Sequence, residues 1–107
     1  MFTNAATSRQ TLLGELASLP DRSALPAPML QDLTKAWDAS MQADRDFAAW
    51  TQDEISSGCS TDVQADPNYQ AATTPDDQAT HYKMAFVNLW TPVASQYGLP
   101  QYQYNEI

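Results

Sequence analysis

The last third of the chain, Thr74 to Pro100, constrains the fold more than any other stretch, because it punctuates a long helix almost unaided. Thr74 reads as an N-cap, Pro75 as the first helical residue, and Asp76 and Asp77 as carboxylates facing the positive end of the helix dipole. Ala79, Tyr82, Phe86, Leu89, Trp90, Val93, Ala94 and Tyr97 then recur at helical spacing. Pro92 predicts a kink, and Gly98 with Pro100 supplies the stop. Lys83 falls on the face that the apolar residues mark for burial, so it asks for a partner on another segment.

Two more periodic segments precede it. Over residues 7–19, Thr7 and Gln10 have capping-box spacing, Leu12, Leu13, Leu16 and Leu19 share a stripe, and Pro20 ends the run. A connector with two prolines leads to a second helix over residues 28–57, closed by Gly58. Its stripe is Leu30, Leu33, Trp37, Met41, Phe47 or Ala48, and Ile55, with the polar Ser40 and Asp44 set inside it. Between Gly58 and Thr74, Asp66-Pro67 reads as a second cap, which predicts a short helix over 66–72. The expected fold is all-α: one domain over 1–107, an antiparallel bundle of three long helices (7–19, 28–57, 75–97) plus the short one in the 58–74 linker. The aromatic tail, with Tyr102, Tyr104 and Ile107, is expected to fold back on it.

Composition excludes several classes. Thirteen acidic against five basic residues give a net charge of −8, without the Lys/Arg cluster that phosphate backbones or anionic lipid surfaces require. No apolar run is long enough to span a bilayer. The first residues lack the basic and apolar regions of a signal peptide, so any targeting segment is expected upstream.

Candidate chemistry is sparse. Asp44 and Lys83 both interrupt apolar stripes on helices expected to lie side by side, which predicts a buried ion pair that fixes helix register. A catalytic lysine or acid is the rival reading. The single Cys59 and single His81 would have to meet, with a third group orienting the histidine, to act as a nucleophilic pair. One His and one Cys do not make a closed zinc site, and the aspartates of 62–77 lack the ligand spacing and glycine of a calcium loop. His81 and Met84 share a helix face, but methionine as core filler is the commoner use. No metal and no cofactor is expected. Trp50, off the main stripe, and Tyr102 with Tyr104 are candidates for an exposed recognition patch.

The chain resembles a helical domain found at the C-terminal, extracytoplasmic end of actinobacterial (Streptomyces-like) proteins, some of them membrane-anchored. The resemblance runs through Arg9-Gln10, Leu25-Pro26, Ala43-Asp44-Arg45-Asp46-Phe47-Ala48-Ala49-Trp50, Gly58-Cys59, Lys83, Phe86-Val87, Leu89-Trp90, Pro92-Val93-Ala94 and Tyr97-Gly98-Leu99-Pro100. Thr91 stands where the family pattern has asparagine, and His81-Tyr82 also departs from it. The resemblance implies that Asp44, Lys83 and Cys59 belong to a shared pattern and that the setting is extracytoplasmic. It brings no activity and no site residues.

The expected function is a non-enzymatic interaction or sensory domain, the exported part of a larger protein with another protein as its partner. The alternative is a small ligand-binding protein or enzyme using an inter-helix pocket that reaches Lys83 and Asp44. A closed core favours the first, and a pocket of a few hundred Å³ at those groups favours the second.

Overall fold

Three long helices account for most of the chain: α1 (Phe2–Ala17), α2 (Ala27–Ser57) and α3 (Pro67–Tyr97). The computed structural model describes residues 1–59 and 62–107, and among them there is no strand. Short 3-10 turns lie at Arg22–Ala24, Val63–Ala65 and Tyr104–Glu106. Residues 60 and 61, inside the expected linker, lie outside the described residues.

Two helix starts differ from the expectation. α1 begins at Phe2 rather than Thr7, because the Phe2 ring stacks on Phe47 of α2 at 5.2 Å and holds the first turns down. Thr7 is therefore inside the helix, and its hydroxyl donates back to the Thr3 carbonyl at 3.0 Å. The separate helix expected over 66–72 is the beginning of α3, which continues without a break through Thr74 and Pro75. Asp66 caps it as expected, its carboxylate accepting from the N–H of Asn68 at 2.7 Å and of Tyr69 at 3.4 Å. Pro75 and Pro92 each deprive a carbonyl one turn back of its donor, and both of those residues, Ala71 and Asn88, are exposed, so water can serve them.

The stops follow the glycines. Gly58 at φ 81° and Gly98 at φ 64° take the left-handed conformation, and the N–H groups of Cys59 and Leu99 return to Glu54 and Ala94 at 2.7 and 2.8 Å.

Both α1 and α3 pack on α2, while α1 and α3 make little direct contact. Asn68 donates to Asp53 at 2.7 Å, and the Lys35 ammonium stands 5.4 Å from the centre of the Tyr82 ring, so late positions of α2 meet early positions of α3. The result is a rod with extents of 52 × 23 × 19 Å and a radius of gyration of 16.3 Å; a sphere-like chain of this length would have about 13 Å. The accessible surface of 6869 Å² likewise exceeds the roughly 5,900 Å² expected for this mass.

Along the rod the interior has three parts. At one end Leu16, Met29, Leu30, Leu33 and Phe86 form the apolar core, with Leu25, Trp37, Val87, Trp90 and Ile107 packed around it. At the other end Phe2, Phe47, Trp50 and Tyr69 make an aromatic cluster with ring centres 5.2–6.2 Å apart. The waist between them holds small residues, Ala36, Ala39, Ser40 and Ala43 on α2 against Ala79 on α3, which lets the helices approach closely. Ile55, placed on the α2 stripe by its spacing, is 66% exposed, whereas the adjacent Glu54 is buried.

Ala36 and Ala72 are both 0% exposed, so neither position has room for a larger side chain. Ala36→Leu and Ala72→Leu are each expected to destabilise the fold by about 1–3 kcal/mol through overpacking. Thermal denaturation followed by circular dichroism checks this, with a fall of several degrees in Tm for each kcal/mol lost. An unchanged Tm would mean that α2 and α3 are not in close contact there.

Candidate functional site

A cleft of about 600 Å³ opens where α1 and α3 fail to close on one another over the face of α2. Leu33 and Trp37 of α2 lie along it, with Arg9 and Leu12 of α1 and Phe86 and Trp90 of α3. The end is closed by the tail, through Tyr102, Asn105, Glu106 and Ile107. Its volume lies in the range of small-molecule sites, and most of its lining is aliphatic or aromatic.

The tail is tied in place rather than loose. The Trp90 indole N–H donates to the Pro100 carbonyl at 2.9 Å. Beyond it, Gln103 and Glu106 form a reciprocal cap: the Glu106 carboxylate accepts from the Gln103 N–H at 2.6 Å, and the Glu106 N–H donates to the Gln103 carbonyl at 3.0 Å. Ile107 then reaches the apolar core, in line with the expected fold-back.

Two donors beside this cleft have no protein acceptor. Nε of Arg9 and Nε1 of Trp37 are both buried without a hydrogen-bond partner. The other two indoles are satisfied, Trp90 by Pro100 and Trp50 by the Val63 carbonyl at 3.1 Å. Neither Arg9 nor Trp37 stands out as a site residue in the sequence alone. The available signal was that Arg9 shares the helical spacing of Leu12 and Leu16, which puts a guanidinium on an inward face.

Asp44 and Lys83 sit in the polar waist next to the cleft but do not line it. Both are half-buried, and each senses the other's charge together with those of Arg9 and Asp76. Desolvation dominates at both groups: it raises the Asp44 pKa above 3.8 against the pull of Arg9 and Lys83, and lowers the Lys83 pKa below 10.5 with help from Arg9. The coupling acts through a shared neighbourhood of four charges on three helices, and no direct hydrogen bond joins the two among the described residues.

The recognition residues proposed from sequence are not brought into one patch. Trp50 is half-buried in the aromatic cluster and staples the Val63–Ala65 turn to α2. Tyr102 and Tyr104, 41% and 44% exposed, stand at the other end of the rod beside the exposed Met84. Cys59 and His81 are likewise apart. Both are exposed; Cys59 follows the last turn of α2, whereas His81 meets Tyr82 edge-to-face at 5.2 Å about 20 Å along α3 from its start. Among the described residues no group of three His, Cys, Asp or Glu side chains is placed to hold a metal ion. No helix is long and apolar enough to cross a membrane.

Searches against protein-family models, curated proteins and solved structures find no match.

Asp44→Asn and Lys83→Met are each expected to shift stability by less than about 1 kcal/mol at neutral pH, since half-exposed charges are screened. The double variant should be at least as stable as the native chain. Because the folded Asp44 pKa is raised, its penalty is absent below pH 3.8 and complete above the raised value; because that of Lys83 is lowered, its penalty is complete at neutral pH and relieved towards pH 10.5. The Asn variant should therefore gain over native as pH rises just above 3.8, and the Met variant should lose its advantage as pH approaches 10.5. Urea titrations across pH, arranged as a double-mutant cycle, measure both effects, and a coupling of several kcal/mol would reveal a direct bridge instead.

Trp90→Phe removes the bond to Pro100 and should cost about 1 kcal/mol, released chiefly as opening of the tail. Hydrogen exchange at Glu106 and Ile107 should speed up while exchange in the middle of α2 stays slow. Equal acceleration in both places would show that the tail is part of the global core.

Proposed function

We propose that this chain is a non-enzymatic binding domain, sensory in character, that takes a small apolar molecule into the cleft between α1 and α3. The observation that carries the reading is the cleft: about 600 Å³, mostly apolar, with its end wall built by a tethered tail. Nothing in its lining combines a nucleophile with a base, and the waist pair Asp44 and Lys83 stands outside it, which favours binding over the enzyme reading. The proposal includes an antiparallel three-helix frame, supported by the Asn68–Asp53 and Lys35–Tyr82 pairings.

On the resemblance set out above, we place the domain in the exported, extracytoplasmic part of a larger actinobacterial protein. A partner protein would then read the ligand-dependent state of the tail. Exposed Met84, Leu89, Tyr102 and Tyr104 lie on α3 and the tail and offer the apolar contact area that such a partner needs.

The test uses the neutral fluorophore N-phenyl-1-naphthylamine. Saturable one-to-one binding with a rise in Tm is expected. Leu12→Trp, which fills the cleft from a half-buried position, should abolish the binding while leaving the helical circular dichroism intact. Absence of saturable binding to the native chain, or binding indifferent to Leu12→Trp, defeats the proposal.

A further inference from the structure

Resting on that reading, we propose that the ligand is an apolar monocarboxylate whose oxygens accept hydrogen bonds from Nε of Arg9 and Nε1 of Trp37. Three observations converge. The residues that carry the two donors line the same cleft, one on α1 and one on α2, and the donor atoms, which lie beneath its surface without a protein acceptor, meet a ligand as those side chains turn towards it. Both groups donate only: a guanidinium and an indole N–H have no lone pair to offer, so what satisfies them must be an acceptor. A buried donor left unpaired costs about 1–3 kcal/mol, and an acceptor that repairs two such sites gains correspondingly.

The chemistry of the lining narrows the acceptor further. Arg9 is a cation, so a charged oxygen gives a shorter and stronger bond than a hydroxyl or carbonyl. An amine would be repelled by Arg9 and could not accept in its ammonium form. A compact inorganic anion would leave the half-buried Leu12, Trp90 and Ile107 uncovered, whereas an alkyl or aryl body covers them. The carboxylate already in the lining, Glu106, is committed to the Gln103 N–H at 2.6 Å, in the tail's own cap.

The three tryptophans supply an internal control. Trp50 and Trp90 already donate to backbone carbonyls, so only Trp37 has a new bond to make. On ¹⁵N-labelled protein with the indole signals assigned by Trp→Phe variants, octanoate should move the Trp37 indole proton downfield, as a new hydrogen bond does, and leave that of Trp50 in place. By calorimetry octanoate should bind about tenfold or more tightly than octan-1-ol, with octylammonium weakest. Arg9→Met should erase the preference for the acid over the alcohol.

If octanoate and octan-1-ol bind equally and the Trp37 indole does not move, water is serving these donors: acid recognition is then wrong, although the cleft still binds apolar molecules. If neither binds and the neutral fluorophore also fails, the cleft is not a binding site and both readings fall. The spectrum of the native protein decides the matter even should Arg9→Met fold poorly.

Discussion

α2 has to serve two neighbours at once, and the rest of the molecule follows from that demand. Its buried positions pack against α3 along much of their shared length and against α1 on an adjoining flank. A helix satisfies two partners only by spreading apolar and small residues over a wide arc, and the alanines at 36, 39 and 43 do this without pushing either neighbour away. The cost is that α1 and α3 are held by α2 rather than by each other. That leaves the wedge between them, and it accounts for the elongated shape and the excess surface.

The wedge is treated differently at each level of the rod. At the Phe2 end, bulky rings fill it, with Phe2 reaching from α1 and Tyr69 from α3 to the same Phe47. At the waist four charges interact: Arg9 of α1, Asp44 of α2, and Lys83 and Asp76 of α3. Desolvation outweighs attraction for both Asp44 and Lys83, which is what partly buried groups without close bonding geometry should show. At the far end Trp37, Phe86 and Trp90 line the gap without filling it. The tail closes it in part, and what it leaves is the cleft.

Signals that act within one or two turns were readable from the sequence. Asp66 at the start of α3 and the glycines at 58 and 98 act through their own backbone, so their positions could be read without knowing the fold. Signals that depend on a neighbour misled. Thr74-Pro75-Asp76-Asp77 has every local mark of a helix start, yet the chain is already helical there, because Tyr69 docking on Trp50 at 5.2 Å and the burial of Ala72 secure the preceding turns. The same tertiary override extends α1 back to Phe2. The cleft was hidden for a related reason: Arg9 and Trp37 become a pair only when α1 and α2 are laid together, and no spacing within either helix records it.

The tail and the cleft are one device rather than two. Trp90 lies along the cleft and its indole holds Pro100, while Ile107 packs on the core next to the cavity that Tyr102 and Glu106 close off. The groups that line the cleft therefore include ones whose other contacts secure the tail. On the binding reading proposed above, a ligand would rest on the wall that Tyr102, Glu106 and Ile107 share with Phe86 and Trp90, which would link occupancy to tail position. The linkage needs no movement of α1, α2 or α3 as bodies. It needs only that the last seven residues, held by a few hydrogen bonds and one isoleucine, be less stable than the rod they close.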